Sequence, residues 1–294
     1  NIIFGFVTIF AMLPVFICGY YIMIHLVFSC QNWFIFNTVV FYLILFFVLG
    51  SVVGSFLNVV VDRATLGESI MGRSHCDHCR AKLSTVDLVP IVSFAALGAR
   101  CRYCRKKLSW QYPIVETLTA TLFALAFWVL VQGGGFGIIT LLFWLFLLSV
   151  SVVVAVVDFK FQLIPTSFVY GASLVSLFYN FFVLPSPIFV DHLLAAFGVA
   201  TFFLLIVLVT RGRGMGQGDI VLVFLIGMVL GIEATVAAMF LAFLTGAVTS
   251  VMLILAGRKK FGNTVPFAPF LIFGFIFCLF WGNTLLGWYF KVLY

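Results

Sequence analysis

The chain has 294 residues, 64% of them hydrophobic and only 9% charged, with a formal net charge of +7. Soluble domains average about 25% charged residues, so a water-soluble globular protein is excluded. The mean hydropathy of +1.27 and continuous apolar runs of about 20 residues predict an all-α polytopic membrane protein.

Residues 1–29 are apolar and interrupted by Pro14. They have no basic head and no small-residue cleavage site, so a secretory signal is not expected. The stretch reads as a kinked spanning helix or one lying on others, within an N-terminal extension over 1–32. Roughly 3–29, 34–61, 114–131, 138–157, 167–183, 192–209, 219–231, 234–256 and 265–282 are the expected spans. That gives about eight core helices and a possible extra N-terminal one. The first core helix occupies 33–61, a membrane domain fills 113–283, and residues 284–294, with Trp288 and Tyr289, form an interfacial tail. The run 219–231 is short for a crossing, and its Gly227 and Gly231 would let neighbours approach.

Residues 62–112 are the one substantial polar insert. They carry Cys76-Asp77-His78-Cys79 and Cys101-Arg102-Tyr103-Cys104, two C-x-x-C pairs separated by 21 residues. That spacing offers four thiolates to one tetrahedral ion and predicts a zinc-ribbon-like structural site at Cys76, Cys79, Cys101 and Cys104. The alternative is two disulfides, which a reducing compartment disfavours. His75 and His78 are read as loop residues, and Cys18, Cys30 and Cys278 as packing residues.

Fifteen of the sixteen Lys and Arg residues fall on one side of the expected topology, leaving Lys291 on the other. The basic side is the cytoplasmic one. The charge therefore needs no nucleic-acid partner and suits an anionic inner leaflet.

Asp158 and Asp219 stand at the ends of expected spans on that same side. An ionisable group in such a place is expensive and points to function; two carboxyls that meet can activate a water. The competing readings are a helix-end charge paired with Lys160 for Asp158 and a helix N-cap for Asp219. Asp62 and Asp87 are read as solvated, Asp191 and Glu233 as lying on the opposite face. Glu116, just inside a span, is either a first-turn acid favoured by the helix dipole or a cofactor-binding group.

In order, the chain presents Gly54-Ser55-Phe56-Leu57-Asn58-Val59-Val60, Arg73-Ser74-His75-Cys76 with the four cysteines, Tyr112-Pro113-Ile114-Val115-Glu116, and Asp158 followed by Ile164-Pro165. Met215-Gly216-Gln217-Gly218-Asp219 and Pro266-Phe267-Ala268-Pro269-Phe270 complete the series. This pattern resembles the type IV prepilin peptidases, G-x-G-D membrane aspartic proteases. Thr166, Val221 and Ala64-Thr65 depart from the family pattern and bear on substrate contacts rather than reaction class.

The resemblance implies a bacterial inner-membrane endopeptidase with Asp158 and Asp219 as catalytic residues and Gly216, Gly218 and Pro165 as supporting motif positions. Its substrates would be prepilin or pseudopilin precursors, cut at the cytoplasmic face, in type IV pilus assembly or type II secretion. It further implies N-methylation of the new N-terminus with S-adenosylmethionine, although no glycine-rich methyltransferase loop is visible. The rivals are a peptidase whose zinc insert only docks substrate, a zinc-containing adaptor or transporter, and a presenilin-like protease.

Overall fold

The computed structural model describes residues 25–66, 72, 74–76, 78–134, 136–212, 216–257 and 266–293. The expected span 3–29 thus lies almost wholly outside the described residues, as do Arg73 and the basic run 258–260. The chain divides into two units, Asn1–Leu45 and Phe46–Tyr294. The first is described only from residue 25, where it is helical. All that follows concerns the second.

Its helices are the end of α1 (His25–Leu66), the short α2 (Val92–Ala96), α3 (Gln111–Gln132), α4 (Ile138–Phe161), α5 (Thr166–Val183), α6 (Ser186–Val209), α7 (Gln217–Leu255) and α8 (Ala268–Leu293). Seven stretches of the described helices are long and apolar enough to cross a membrane, among them Asn37–Arg63 of α1. Their outer faces carry bare large side chains, such as Phe182 at 77% and Val209 at 83% exposure, which only lipid could cover. The core joins α4, α5, α6, α7 and α8 through Leu147, Val154, Val169, Phe203, Ile226 and Leu271.

Lipid tails are as apolar as the side chains, so helices associate through close packing rather than a hydrophobic drive. Gly50 and Gly54 show the device: a Cβ on either would fall within 2.8 Å of a backbone atom of α3, at Ala120 and Glu116. The two glycines let α1 and α3 touch backbone to backbone.

Two expected spans, 219–231 and 234–256, are the two limbs of α7, which breaks at Gly231 (φ 74°, ψ 178°). Gly218 lies against Ile164, just past the end of α4, while Gly246 in the second limb packs on Phe267 and Phe270 at the start of α8. Gly282, towards the other end of α8, faces Ala234. The chain therefore reverses at Gly231, and the first limb crosses in about 14 residues, or roughly 21 Å.

A broken helix leaves orphan backbone groups that hydrocarbon cannot satisfy. Here α5 and α6 supply the partners. Asn180 Nδ2 and His192 Nδ1 both meet the Met228 carbonyl, at 2.5 and 2.9 Å, and the Ile232 amide donates to Asp191 Oδ2 at 3.1 Å. Residues 186–191, expected as loop, are helical because α6 starts at Ser186 with Pro187 in its first turn. Gly227 does serve close packing, against Ala195 and Ala196; Gly231 instead supplies a turn only glycine tolerates. The expected tail 284–294 is the continuation of α8 through Leu293.

Candidate active site and metal centre

Asp158 lies in the last turn of α4. That helix ends at Gln162, which takes a left-handed conformation (φ 53°) and donates its amide to the Asp158 carbonyl. Pro165 lies in the turn after Asp158 and precedes α5 as its N-cap. The loop between them carries Ile164 against Gly218, where a Cβ would come within 2.8 Å of the Ile164 Cβ. Only glycine at 218 lets the segment after Asp158 touch the segment before Asp219.

Asp219 occupies the first turn of α7, and its Oδ2 accepts a hydrogen bond from the Gly216 amide at 3.2 Å. Asp219 is thus not the N-cap expected from the sequence; the cap is Gly216, and Asp219, in the first turn, reaches back to its amide, which orients the carboxyl. Both aspartates are buried, Asp158 at 5% and Asp219 at 7% exposure. The segments that bear them approach each other where Gly218 packs on Ile164. Asp158 Oδ2 is buried with no hydrogen-bond partner among the described residues. Two carboxyls from distant sequence positions are therefore buried at one bundle end, on segments that touch through Gly218 and Ile164.

Lys160 does not pair with Asp158. Its Nζ reaches Asp62 Oδ1 at 3.0 Å, tying the end of α4 to the end of α1. Asp62 Oδ2 also accepts from the Tyr112 hydroxyl at 3.2 Å. Asp87, too, is engaged rather than solvated: Arg102 Nε donates to it at 2.6 Å, and the Ser84 amide and hydroxyl cap it. Burial raises its carboxyl, but the bonds from Ser84 and the Arg102 guanidinium outweigh this and leave it below the ordinary value. Asp191 stays with the Gly231 break, away from the two aspartates.

Glu116 is buried on α3, and its Oε2 accepts from the Ile91 amide at 2.7 Å. It pins the insert to the helix ends. Gln111 and Tyr112 add a second seam, with Asn58 donating to the Tyr112 carbonyl and accepting from Gln111 Nε2, both at 3.2 Å.

The insert is two copies of one knuckle. Cys76 and Cys101 each receive, at the carbonyl, the amide of the residue four places on, Arg80 or Arg105. Both arginines take positive φ, 56° and 59°. Antiparallel bridges His75–Lys82 and Arg100–Lys107 close the two turns. The four cysteines bring their sulfurs within 4.8 Å of one another. Tetrahedral zinc–thiolate bonds of about 2.3 Å put sulfurs about 3.8 Å apart, and Cys76 and Cys104 stand at 3.9 Å. The donor set and spacing fit a structural metal. Amides of Cys104 and Tyr103 help bring the Cys101 thiol down to about 7, while burial pushes Cys76 up to about 11. His75 and His78 stay outside this set.

Sequence reasoning named both aspartates and all four cysteines. It missed the contact of Ile164, whose packing on Gly218 has no one-dimensional signal.

The profile of the bacterial peptidase A24 N-terminal domain matches residues 48–130, and that of the type IV leader peptidase family matches 145–251. A prepilin leader peptidase/N-methyltransferase of Bacillus subtilis (strain 168) is 34% identical over 84% of this chain and 97% of its own length. Proteins of the same name from Aeromonas hydrophila and Pseudomonas aeruginosa are 28% and 29% identical, covering 84% and 83% of this chain and 93% and 91% of theirs. No solved structure matches the chain. With both halves matched by profile, the chain belongs to the type IV leader peptidase family.

Proposed function

We propose that this chain is a membrane aspartic endopeptidase that removes the short basic leader of prepilins or pseudopilins and methylates the new N-terminus. The observation that carries the peptidase reading is the burial of Asp158 and Asp219 at one end of the bundle, on segments that touch through Ile164 and Gly218. Two carboxyls at close quarters divide the work, one ionised and one protonated. The ionised member takes a proton from water as it attacks the scissile carbonyl; the protonated member donates to the developing oxyanion. Gly216, Gly218 and Pro165 shape the backbone that holds the pair, and the Gly216 amide orients the Asp219 carboxyl.

The ends of α1, α4 and α6 and the insert bear the basic residues Arg63, Lys160, Arg211 and Arg102 on the side of the aspartates, with Lys291 in the last turn of α8. By the positive-inside bias this side faces the cytoplasm. A substrate helix would span the bilayer beside the bundle, with its leader junction at the depth of the aspartates. Zinc at Cys76, Cys79, Cys101 and Cys104 would fold the insert, since so small a segment lacks a core of its own. S-adenosylmethionine would be the methyl donor, a role that fits the names of the relatives.

The test is cleavage of a model prepilin by purified Asp158→Asn and Asp219→Asn proteins. Each should lower the rate by at least about 100-fold while keeping the wild-type helical spectrum and zinc content. Full processing by either variant removes the dyad from the mechanism.

A further inference from the structure

Residues 88–99 include no charged side chain, yet they lie within an insert, 62–112, that carries nine Lys and Arg against four Asp and Glu. Ser93 is the one polar side chain in this run. The run follows a single 3-10 turn, Thr85–Leu88, and includes α2. We infer that this run, with Val86 and Trp110, dips into the leaflet at that end of the bundle and binds anionic lipid headgroups at its basic flank. The surface is one that neither the peptidase nor the methyltransferase reading uses.

Depth is the first argument. The helix α3 has 22 residues and is apolar enough to cross a membrane. Its length of about 33 Å just covers a hydrocarbon core of about 30 Å. Glu116 is the sixth residue of α3, about 7.5 Å of rise in from the start. The Ile91 amide bonds Glu116 Oε2 at 2.7 Å, so the insert's backbone comes back to within one side chain's reach of that level. Interfacial segments sink about 5–10 Å into the headgroup and acyl boundary. Backbone at such a depth has to find a protein partner, and here Glu116 is that partner. Ile91 takes a left-handed conformation (φ 62°) as it does so. A β-branched residue adopts that conformation only where its surroundings impose it.

Continuity with the lipid-facing surface is the second argument. Val92 is 63% and Trp110 68% exposed, and Val86 and Val89 are bare as well. The Phe94 ring packs edge-on against Trp110, with 5.2 Å between centroids. Trp110 accepts the Ile114 amide at its carbonyl, and Trp110, Ile114 and Leu118 follow one another on one helix face. All three are exposed. The bare surface of the insert thus runs on into the outer face of α3, which only lipid could cover. Trp110 stands where indole rings favour the boundary of lipid and water. Charge is the third argument. Arg100 closes the uncharged run and is bridged to Lys107 across the second knuckle, and both are exposed. A leaflet answers both features at once, with acyl chains for Val89 and Val92 and phosphates for Arg100 and Lys107.

The experiment places an environment-sensitive fluorescent amino acid at position 92 of the full-length, zinc-loaded protein, in bilayer discs of phosphatidylcholine and phosphatidylglycerol. Acyl-brominated lipids quench it from the bilayer and acrylamide from the water. The same label at position 118 on α3 is the lipid reference, and at exposed position 103 the water reference; zinc content reports folding. Brominated lipid should quench position 92 as it does position 118, and acrylamide at least about fivefold less than at 103. In an equimolar mixture, brominated phosphatidylglycerol should quench at least about twofold more than brominated phosphatidylcholine. Arg100→Gln with Lys107→Gln should bring that ratio to about one, and Val89→Asp should raise acrylamide quenching. Acrylamide access at 92 equal to that at 103 overturns the inference. Protection from both quenchers means that protein covers the run, and access lost only when prepilin is added assigns it to the substrate; each overturns the inference too. Equal quenching by the two lipids in the wild type overturns the headgroup contact.

Discussion

Two residues set the tolerances of the proposed site. Gly218 is the contact point between the aspartate-bearing segments, and a side chain there meets the Ile164 Cβ at 2.8 Å. The loop after Asp158 and the turn before Asp219 would have to part. Misplacing reacting groups by about 1 Å can lose a hundredfold in rate. Gly218→Ala should therefore lower prepilin cleavage on the order of tenfold to a hundredfold while both carboxylates remain. Ile164→Gly, which removes the opposing Cβ, should restore much of it; Ile164→Ala, which keeps that atom, should not. A Gly218→Ala enzyme with wild-type kinetics would show that the contact does not position the pair. Asp87 governs the insert in the same local way. It caps the turn at Ser84 and pairs with Arg102, and its carboxyl lies below the ordinary value. A depressed folded pKa means stability that is fully present above the unfolded pKa and lost as pH falls through the folded one. Asp87→Asn should loosen the insert by about 1 kcal/mol at neutral pH, read as faster chelator-driven zinc release. The gap from wild type should close as pH drops below about 4.

The elements themselves were largely legible, because an apolar run of about 20 residues has few meanings in a chain this hydrophobic. Eight core segments were expected, and eight helical limbs among the described residues correspond to them once α7 is divided at Gly231. What the sequence concealed was the cause of the division. Gly231 read as a packing glycine, and Asp191 only as an acid on the opposite face; their link through α6, with His192 beside them, was hidden. Their meeting depends on α6 and α7 being antiparallel neighbours, which no local pattern encodes. The cysteine pairs were legible as a metal set because C-x-x-C constrains geometry within one turn. Glu116 was not, since its partner, the Ile91 amide, lies 25 residues away. The break has a checkable energy. With φ 74° and ψ 178°, position 231 lies in a region that side chains avoid at a cost of about 1–3 kcal/mol, and a Cβ would also meet Asp191 Oδ2. Gly231→Ala should lower the thermal midpoint in detergent. It should also slow cleavage, because the limb bearing Asp219 is hung from this break. An unchanged midpoint would mean the turn relaxes freely.

For the whole molecule, the division of labour is vertical. The hydrocarbon-facing bundle is apolar outside and holds the two carboxyls at one end, while the insert at that end carries the four cysteines that could hold a metal. This arrangement works only if leader, aspartates and insert share one aqueous side. Read through the positive-inside bias, the basic residues at those helix ends predict that this side is the cytoplasm. The assignment gives a sidedness prediction that does not depend on activity. Lys82, Arg100 and Arg105 are exposed on the knuckles, so trypsin can reach them only from the insert's side. Trypsin added outside right-side-out vesicles should cut no further in than Lys291, and inverted vesicles should yield fragments parted within residues 80–107. A strong zinc chelator should speed that cutting, because the knuckles lose the ion that joins them. Cleavage from outside would reverse the orientation and place the aspartates on the wrong side for a cytosolic leader. Cutting that ignores the chelator would leave the orientation intact and remove zinc as the element that folds the insert.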